Sequence, residues 1–373
     1  TLRVWLPAEF DPSSATPAGD LLKARLDEFA TQNPGVRIDV RIKAIQGPGG
    51  LLESLVTASA AAPLALPDLV ALPRPLLESA ALKGLVYPYN TTTLPLDSED
   101  WYEYARQMGS LQTTQFGLPF AGDALVLIYR PDVLAPPQDW QALLEGGHLL
   151  VFPAADPNAS VTLAFYLAQG GQLLDEQGRP ALTEGALLNV LEYYQQAAAV
   201  NLMPFWLTQS QTDEQAWATF TAEQHPQLIT WLSAYMAAQS AASANLALAP
   251  LPNSGGTSFT LATGWTWALA SQDPLRRELS TRLAEFLVDE TFLGEWTQAA
   301  GYLPTRPEAL KGWSNSTLRS VGGQIARSAQ LIPAADVLAN LGPVFEQATV
   351  SVLKAESAPL SAVQAALERL STP

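Results

Sequence analysis

The sequence predicts an α/β protein organised as two domains, on three observations. Short apolar runs with strand patterning alternate with longer helix-patterned segments along the opening third, the layout of βαβ units on a largely parallel sheet. At 373 residues the chain exceeds what one hydrophobic core usually organises. Hydrophobic residues make up 48% and charged ones 15%, a balance that excludes a disordered chain.

Each element follows from local pattern. LRVWL, Leu2 to Leu6, is a short β-type run. Leu21 to Gln32 carries Leu22, Leu26 and Phe29 at helical spacing and stops at Asn33-Pro34-Gly35. VRIDVRI, Val36 to Ile42, alternates with period two and is expected to be a strand. Leu51 to Ala61 is a second helix, and Pro67 to Leu72 a third strand. Farther on, Leu187 to Val200 is an amphipathic helix, Arg277 to Gly301 a helix pair, and Val344 to Leu370 a terminal helical run.

Bulk properties narrow the function classes. A net charge of −16 argues against nucleic acid or an anionic membrane as the main partner. Cys is absent, which removes disulfides, thiolate metal sites and cysteine nucleophiles. No apolar run approaches the roughly 20 residues of a membrane span. The two histidines, His148 and His225, stand far apart, and no HExxH, GxSxG or CxxC arrangement occurs. Gly47-Pro48-Gly49-Gly50 precedes a helix but lacks the Lys-Ser/Thr end of a P-loop, so it reads as an ordinary loop leading into that helix. No cofactor, metal or catalytic residue is expected.

The segment from Phe116 to Trp140, FGLPFAGDALVLIYRPDVLAPPQDW, carries the most information. It joins a Gly-Leu-Pro turn, Asp123, an apolar run ending at Tyr129, Arg130-Pro131-Asp132, a proline pair and Trp140. It resembles the signature of bacterial extracellular solute-binding proteins of the maltose-binding-protein type. Other segments match that family in order: Asn33-Pro34-Gly35, Pro67-Asp68-Leu69-Val70, Gly84 to Pro88, Pro250-Leu251-Pro252 with Gly264-Trp265, and Arg277 to Gly301.

The resemblance implies a two-lobed periplasmic-binding-protein-like fold of type II, each lobe a mostly parallel sheet flanked by helices, with a ligand cleft between them. Residues 1–121 with 267–320 would form lobe one, and 122–266 with 321–373 lobe two. The crossings are expected near 122–124, 262–266 and 318–322. It also implies the substrate-binding component of an ABC importer, a monomer capturing a carbohydrate by closure of the lobes and handing it to the membrane permease subunits. The expected location is extracytoplasmic, either periplasmic or as a cell-surface lipoprotein, with the chain that starts at Thr1 read as a mature or trimmed form. A binding protein for a charged solute (sugar phosphate, polyamine or iron complex) and a carbohydrate-active enzyme are the alternatives.

Seven residues are candidates for ligand contact. Asp123 stands where the family places an acidic residue at the cleft, and a carboxylate accepts hydroxyl hydrogen bonds well. Glu9, Arg74 and Asp156 follow strands, where ligands bind in open α/β sheets. Trp231 and Tyr235 lie in LITWLSAYM, which the family uses as an aromatic platform. Trp265 and Trp267 are expected to face opposite sides, with Trp265 stacking on a sugar; Trp140 and Trp296 are assigned to packing. The aromatic that the family brings near Leu341-Gly342-Pro343 is missing here.

Overall fold

The computed structural model describes residues 1–90, 96, 100–240, 245–255 and 257–371. The chain divides into two compact units. The first comprises Thr1–Asp123 and Ala262–Arg327, the second Ala124–Leu261 and Ser328–Pro373. The chain therefore passes between units at Asp123/Ala124, Leu261/Ala262 and Arg327/Ser328. The last passage lies beyond the expected 318–322 because the helix Ser316–Ser328 is continuous.

In the first unit, Leu2–Pro7 pairs in parallel with Ile38–Lys43 on one side and with Leu69–Pro73 on the other. Leu69–Pro73 in turn pairs antiparallel with the Trp265–Leu269 end of the strand Thr260–Leu269. The helix Pro17–Gln32 starts earlier than its apolar spacing suggests. The Thr16 side chain caps it by accepting from Gly19 N, and Pro17 opens the first turn at no hydrogen-bond cost. Its buried stripe, Leu22, Leu26 and Phe29, faces the core. It ends where Pro34 cannot continue a helix and Gly35 takes φ 91°. The helix Leu51–Ala61 has the expected limits.

In the second unit the sheet is mixed. Leu125 to Tyr129 pairs antiparallel with Gln227–Trp231, and Leu127 to Tyr129 antiparallel with Ala247–Ala249. Leu150–Val151 runs parallel to Gln227–Trp231. Helices Ser160–Ala168, Glu184–Ala199 and Ala335–Leu353 pack together through a buried hydroxyl chain in which Thr162 meets both Tyr194 (2.9 Å) and Thr349 (2.8 Å). The terminal helical run breaks into Ala335–Leu353 and Pro359–Ser371, with Ala355 turning the chain at φ 56°. Trp140 is buried against Tyr193, ring centroids 4.3 Å apart, and Trp296 lies in the first unit's core, so both are packing residues.

Candidate functional site

In the first unit four of the polar and aromatic side chains converge. Glu9 follows the strand Leu2–Pro7 on the short turn Ala8–Phe10, exposed as a residue while its carboxyl is partly desolvated. The half-buried Tyr302 donates its hydroxyl hydrogen to Glu9 Oε2 at 3.2 Å. Trp265 lies beside the same hydroxyl and favours its ionised form. Asp123 is buried at the last position of this unit and acts electrostatically on both Tyr302 and Tyr104. Burial raises the Glu9 carboxyl above its ordinary range against the opposing effect of the Tyr302 hydrogen bond. Burial first, then Glu9 and Asp123, push the Tyr302 phenol up. It therefore stays a neutral hydroxyl, able to donate to one group and accept from another.

The backbone beneath this group is held by glycine. A Cβ on Gly264 would lie 2.1 Å from Ala121 O, so the strand Thr260–Leu269 approaches Gly117–Tyr129 as closely as only glycine permits. A Cβ on Gly122 would lie 2.1 Å from the Tyr104 hydroxyl. Gly122 and Leu303 exchange backbone hydrogen bonds of 2.7 Å in both directions, which places Tyr302 beside Asp123 in the fold.

Trp265 differs from its expected setting. Residues two apart in a strand share a face, so Trp265 and Trp267 cannot face opposite sides. Both belong to one core: Trp265 meets Phe10 edge-on at 4.9 Å, Phe10 meets Phe120 at 5.5 Å, and Phe120 stacks on Trp267 at 4.4 Å. Trp265 is 7% exposed. Its indole thus touches the candidate site through Tyr302 while its ring packs inside the unit.

Arg74 is a framework residue. The strand Leu69–Pro73 runs straight into the helix Arg74–Leu82 with no intervening loop. The Arg74 side chain is buried, pairs with Glu78 at 2.6 Å, and donates through Nη1 to the carbonyls of Gln107, Met108 and Ser110. A cation so committed is not brought to the Glu9 group.

In the second unit the structure brings together a carboxylate and an indole that sequence reasoning only half found. Trp231 is half-buried and donates its indole N–H to Asp213 Oδ2 at 3.2 Å, while Thr230 donates to Asp213 Oδ1 at 2.8 Å. Burial is the main cause raising the Asp213 carboxyl to about 6, with Asp156 and Glu214 adding negative charge nearby. Asp213 opens the helix Asp213–Ala222 behind its Thr212 cap, so in sequence it resembled ordinary first-turn acid. Asp156 accepts from Asn158 N, Ser160 N and Ser160 Oγ and fixes the start of the helix Ser160–Ala168. Tyr235 is 5% exposed on the helix Leu232–Ser240, and burial raises its phenol. It is a packed residue rather than an open platform.

The catalytic alternatives gain nothing from the geometry. Gly49 N donates to Glu53 Oε2 at 2.6 Å, so the helix's own carboxylate takes the position an anion would need. His225 stacks on Trp206, and the His148 carbonyl accepts from Gln227. Among the described residues no group of three or more His, Cys, Asp or Glu could hold a metal ion.

The family model described as bacterial extracellular solute-binding protein matches residues 24–318. The chain belongs to this family. Solute-binding proteins of this kind, and the solved structures similar to the chain, are binding proteins rather than enzymes. The sugar-binding protein MalE of Xanthomonas citri superposes with a TM-score of 0.81 at 19% identity, covering 99% of this chain and 96% of that one. The cyclic α-maltosyl-1,6-maltose binding protein of Arthrobacter globiformis gives 0.77 at 17%, covering 99% and 97%. The Thermus thermophilus maltotriose binding protein gives 0.71 at 16%, covering 99% of each chain. At these identities the likeness establishes the shared fold of the solute-binding proteins. A sequence search of curated proteins found no match.

Proposed function

We propose that the protein is the substrate-binding component of an ABC importer and that it captures an uncharged carbohydrate outside the cytoplasm. The observation that carries this reading is the Glu9–Tyr302–Trp265 group with Asp123 beside it. It offers carboxylate and phenol oxygens to hydroxyl donors, next to an indole edge, and Arg74 is spent elsewhere. Such a set suits a polyol and disfavours a sugar phosphate, which needs free cations. In this reading Glu9, Asp123, Tyr302 and Trp265 serve the ligand from the first unit. Asp156, Trp231 and Asp213 serve it from the second, with Asp156 and Asp213 holding the contact surfaces in place. Closure of the two units on the ligand then produces the form read by the importer's membrane subunits. The similar structures named above bind maltose-type sugars by their descriptions, which makes maltooligosaccharides the first ligands to try.

A second reading, a cationic solute such as a polyamine, is favoured by one observation: the candidate residues hold the carboxylates Glu9, Asp123, Asp156 and Asp213 and no free cation. A thermal-shift panel of glucose, maltose, maltotriose, trehalose and spermidine separates the two. A ligand at 100 times its Kd adds about 2.7 kcal/mol of stability. Stabilisation by spermidine alone overturns the carbohydrate reading.

A further inference from the structure

The strand Ile38–Lys43 ends the first unit's sheet on one side. Among the described residues it pairs with Leu2–Pro7 and with no other strand. Leu2 N donates to Arg37 O at 2.7 Å, which turns the backbone groups of Arg37, and with them those of Asp39 and Arg41, toward Leu2–Pro7. The alternate residues Ile38, Val40 and Ile42 therefore direct their N–H and C=O groups outward. Beyond them Leu51 N donates to Ala44 O at 2.8 Å and closes the edge. What stays open is a short segment centred on Val40, and Ile42 on it is 39% exposed.

Open edges are kept from pairing by proline, by a bulge or by charges that repel a second strand. This edge has no proline, and its charges differ in sign: Asp39 stands between Arg37 and Arg41, and Arg41 Nε meets Asp39 Oδ2 at 3.2 Å on one face of the strand. Read backwards, the segment is complementary to itself. With two copies antiparallel about Val40, Ile38 comes opposite Ile42, and Asp39 opposite Arg41. A shift of two residues either way sets Arg41 against Arg41 or Asp39 against Asp39 and leaves one outward residue unpaired. The end pair, Arg37 opposite Lys43, is like-charged, but Lys43 is taken up by the Trp5 ring of its own chain, 4.8 Å from the centroid.

We infer that this edge is an interface for a second copy of the chain, paired antiparallel through residues 38–42 about a two-fold axis at Val40. Ile38, Val40 and Ile42 meet their counterparts as hydrogen-bonded pairs, each exchanging N–H and C=O. Asp39 and Arg41 form the closer, non-hydrogen-bonded pairs, where side-chain charge counts most. The same patch serves both copies, so association stops at a dimer and leaves no open edge for a third. The inference departs from the monomer that the family resemblance implies. It stands apart from the carbohydrate reading, since no residue is shared.

Sedimentation velocity of the full chain over a concentration series tests it. The parent should show a concentration-dependent dimer. Arg41→Asp and Asp39→Arg each set like charges opposite one another and should weaken self-association about tenfold. An equimolar mixture of the two variants should associate to within about threefold of the parent, because the reversed charges are then complementary. Recovery in the mixture requires both variants to be folded, so misfolding cannot imitate it. The chain has no Cys, so Val40→Cys supplies a single thiol at the axis. A hydrogen-bonded pair holds its Cα atoms about 5.5 Å apart, within disulfide range, and mild oxidation should yield a covalent dimer. A parent that sediments as one copy up to about 1 mM overturns the inference. Dimerisation untouched by either charge reversal, or variants that stay apart when mixed, overturns the pairing, and a folded Val40→Cys that forms no covalent dimer overturns the register.

Discussion

The Tyr302 hydroxyl donates to Glu9 Oε2 at 3.2 Å across 293 residues of sequence. One hydrogen bond thus ties Tyr302, just after the helix Glu290–Ala300, to a carboxylate on the turn that follows the first strand. Tyr302→Phe keeps the ring and removes the link. It should weaken ligand binding by about threefold to tenfold, measured by calorimetric titration, and leave the melting temperature nearly unchanged. A large fall in melting temperature with affinity untouched would make the link structural only.

Trp265→Ala should be costly in the absence of ligand. Its ring is 7% exposed and packs edge-on against Phe10 at 4.9 Å, so truncation opens a cavity in the first unit. A loss of about 3–5 kcal/mol in urea denaturation is expected. Trp265→Phe retains much of the packing but not the N–H, and it isolates the indole's part in binding.

Asp213 gives a pH dependence with a definite sign. Its carboxyl is raised to about 6 in the folded protein, above the ordinary value of 3.8. The folded state therefore holds this proton more tightly than the unfolded one. The contribution to stability is full below the ordinary carboxylate range and is lost as pH rises through about 6. Asp213→Asn keeps an oxygen for the Trp231 N–H and turns its NH2 to the Thr230 hydroxyl, which can accept instead of donate, and it should stabilise the second unit at pH 8 by up to about 3 kcal/mol, while flattening the profile between pH 4 and 7. Thermal unfolding across that range checks it. A variant less stable than the parent at pH 8 would contradict the burial argument.

Gly122→Ala should destabilise the first unit by about 1–3 kcal/mol through overpacking. The added methyl would meet the Tyr104 hydroxyl at 2.1 Å, and that hydroxyl donates to Pro304 O at 3.3 Å. Adding Tyr104→Phe should recover part of the loss in a double-mutant cycle.

Arg74→Met should cost about 3–5 kcal/mol, because it deprives buried Glu78 of a partner at 2.6 Å and leaves three carbonyls without their donor. Arg74→Met with Glu78→Leu should be closer to the parent than the single change, as denaturant midpoints will show.

Much of the fold was legible because it rests on local signals. Leu51–Ala61 read directly from its apolar spacing, and Asn33-Pro34-Gly35 marked the end of the preceding helix. The first turn of Pro17–Gln32 was not legible from apolar spacing, since Thr16 and Pro17 act through capping rather than burial. The site was less legible for two reasons. Arg74 follows a strand, as a ligand contact should, but only tertiary structure shows its donors turned onto Glu78 and loop carbonyls. Tyr302 and Asp213 carry no motif of their own. Tyr302 matters because Leu303 pairs with Gly122, and Asp213 because Trp231 ends the strand packed beside its helix. The setting of Trp265 and Trp267 was within reach of the sequence, since strand geometry alone puts residues two apart on one face.

The three passages of the chain between units bear on how the protein is made. A chain synthesised as far as Leu261 has Leu69–Pro73 in place but lacks the antiparallel neighbour Trp265–Leu269, and Glu9 has no Tyr302 to meet. The first unit therefore cannot finish folding before the whole central portion of the second has been made, and the second waits for its last two helices. Long-range closures of this kind fold slowly.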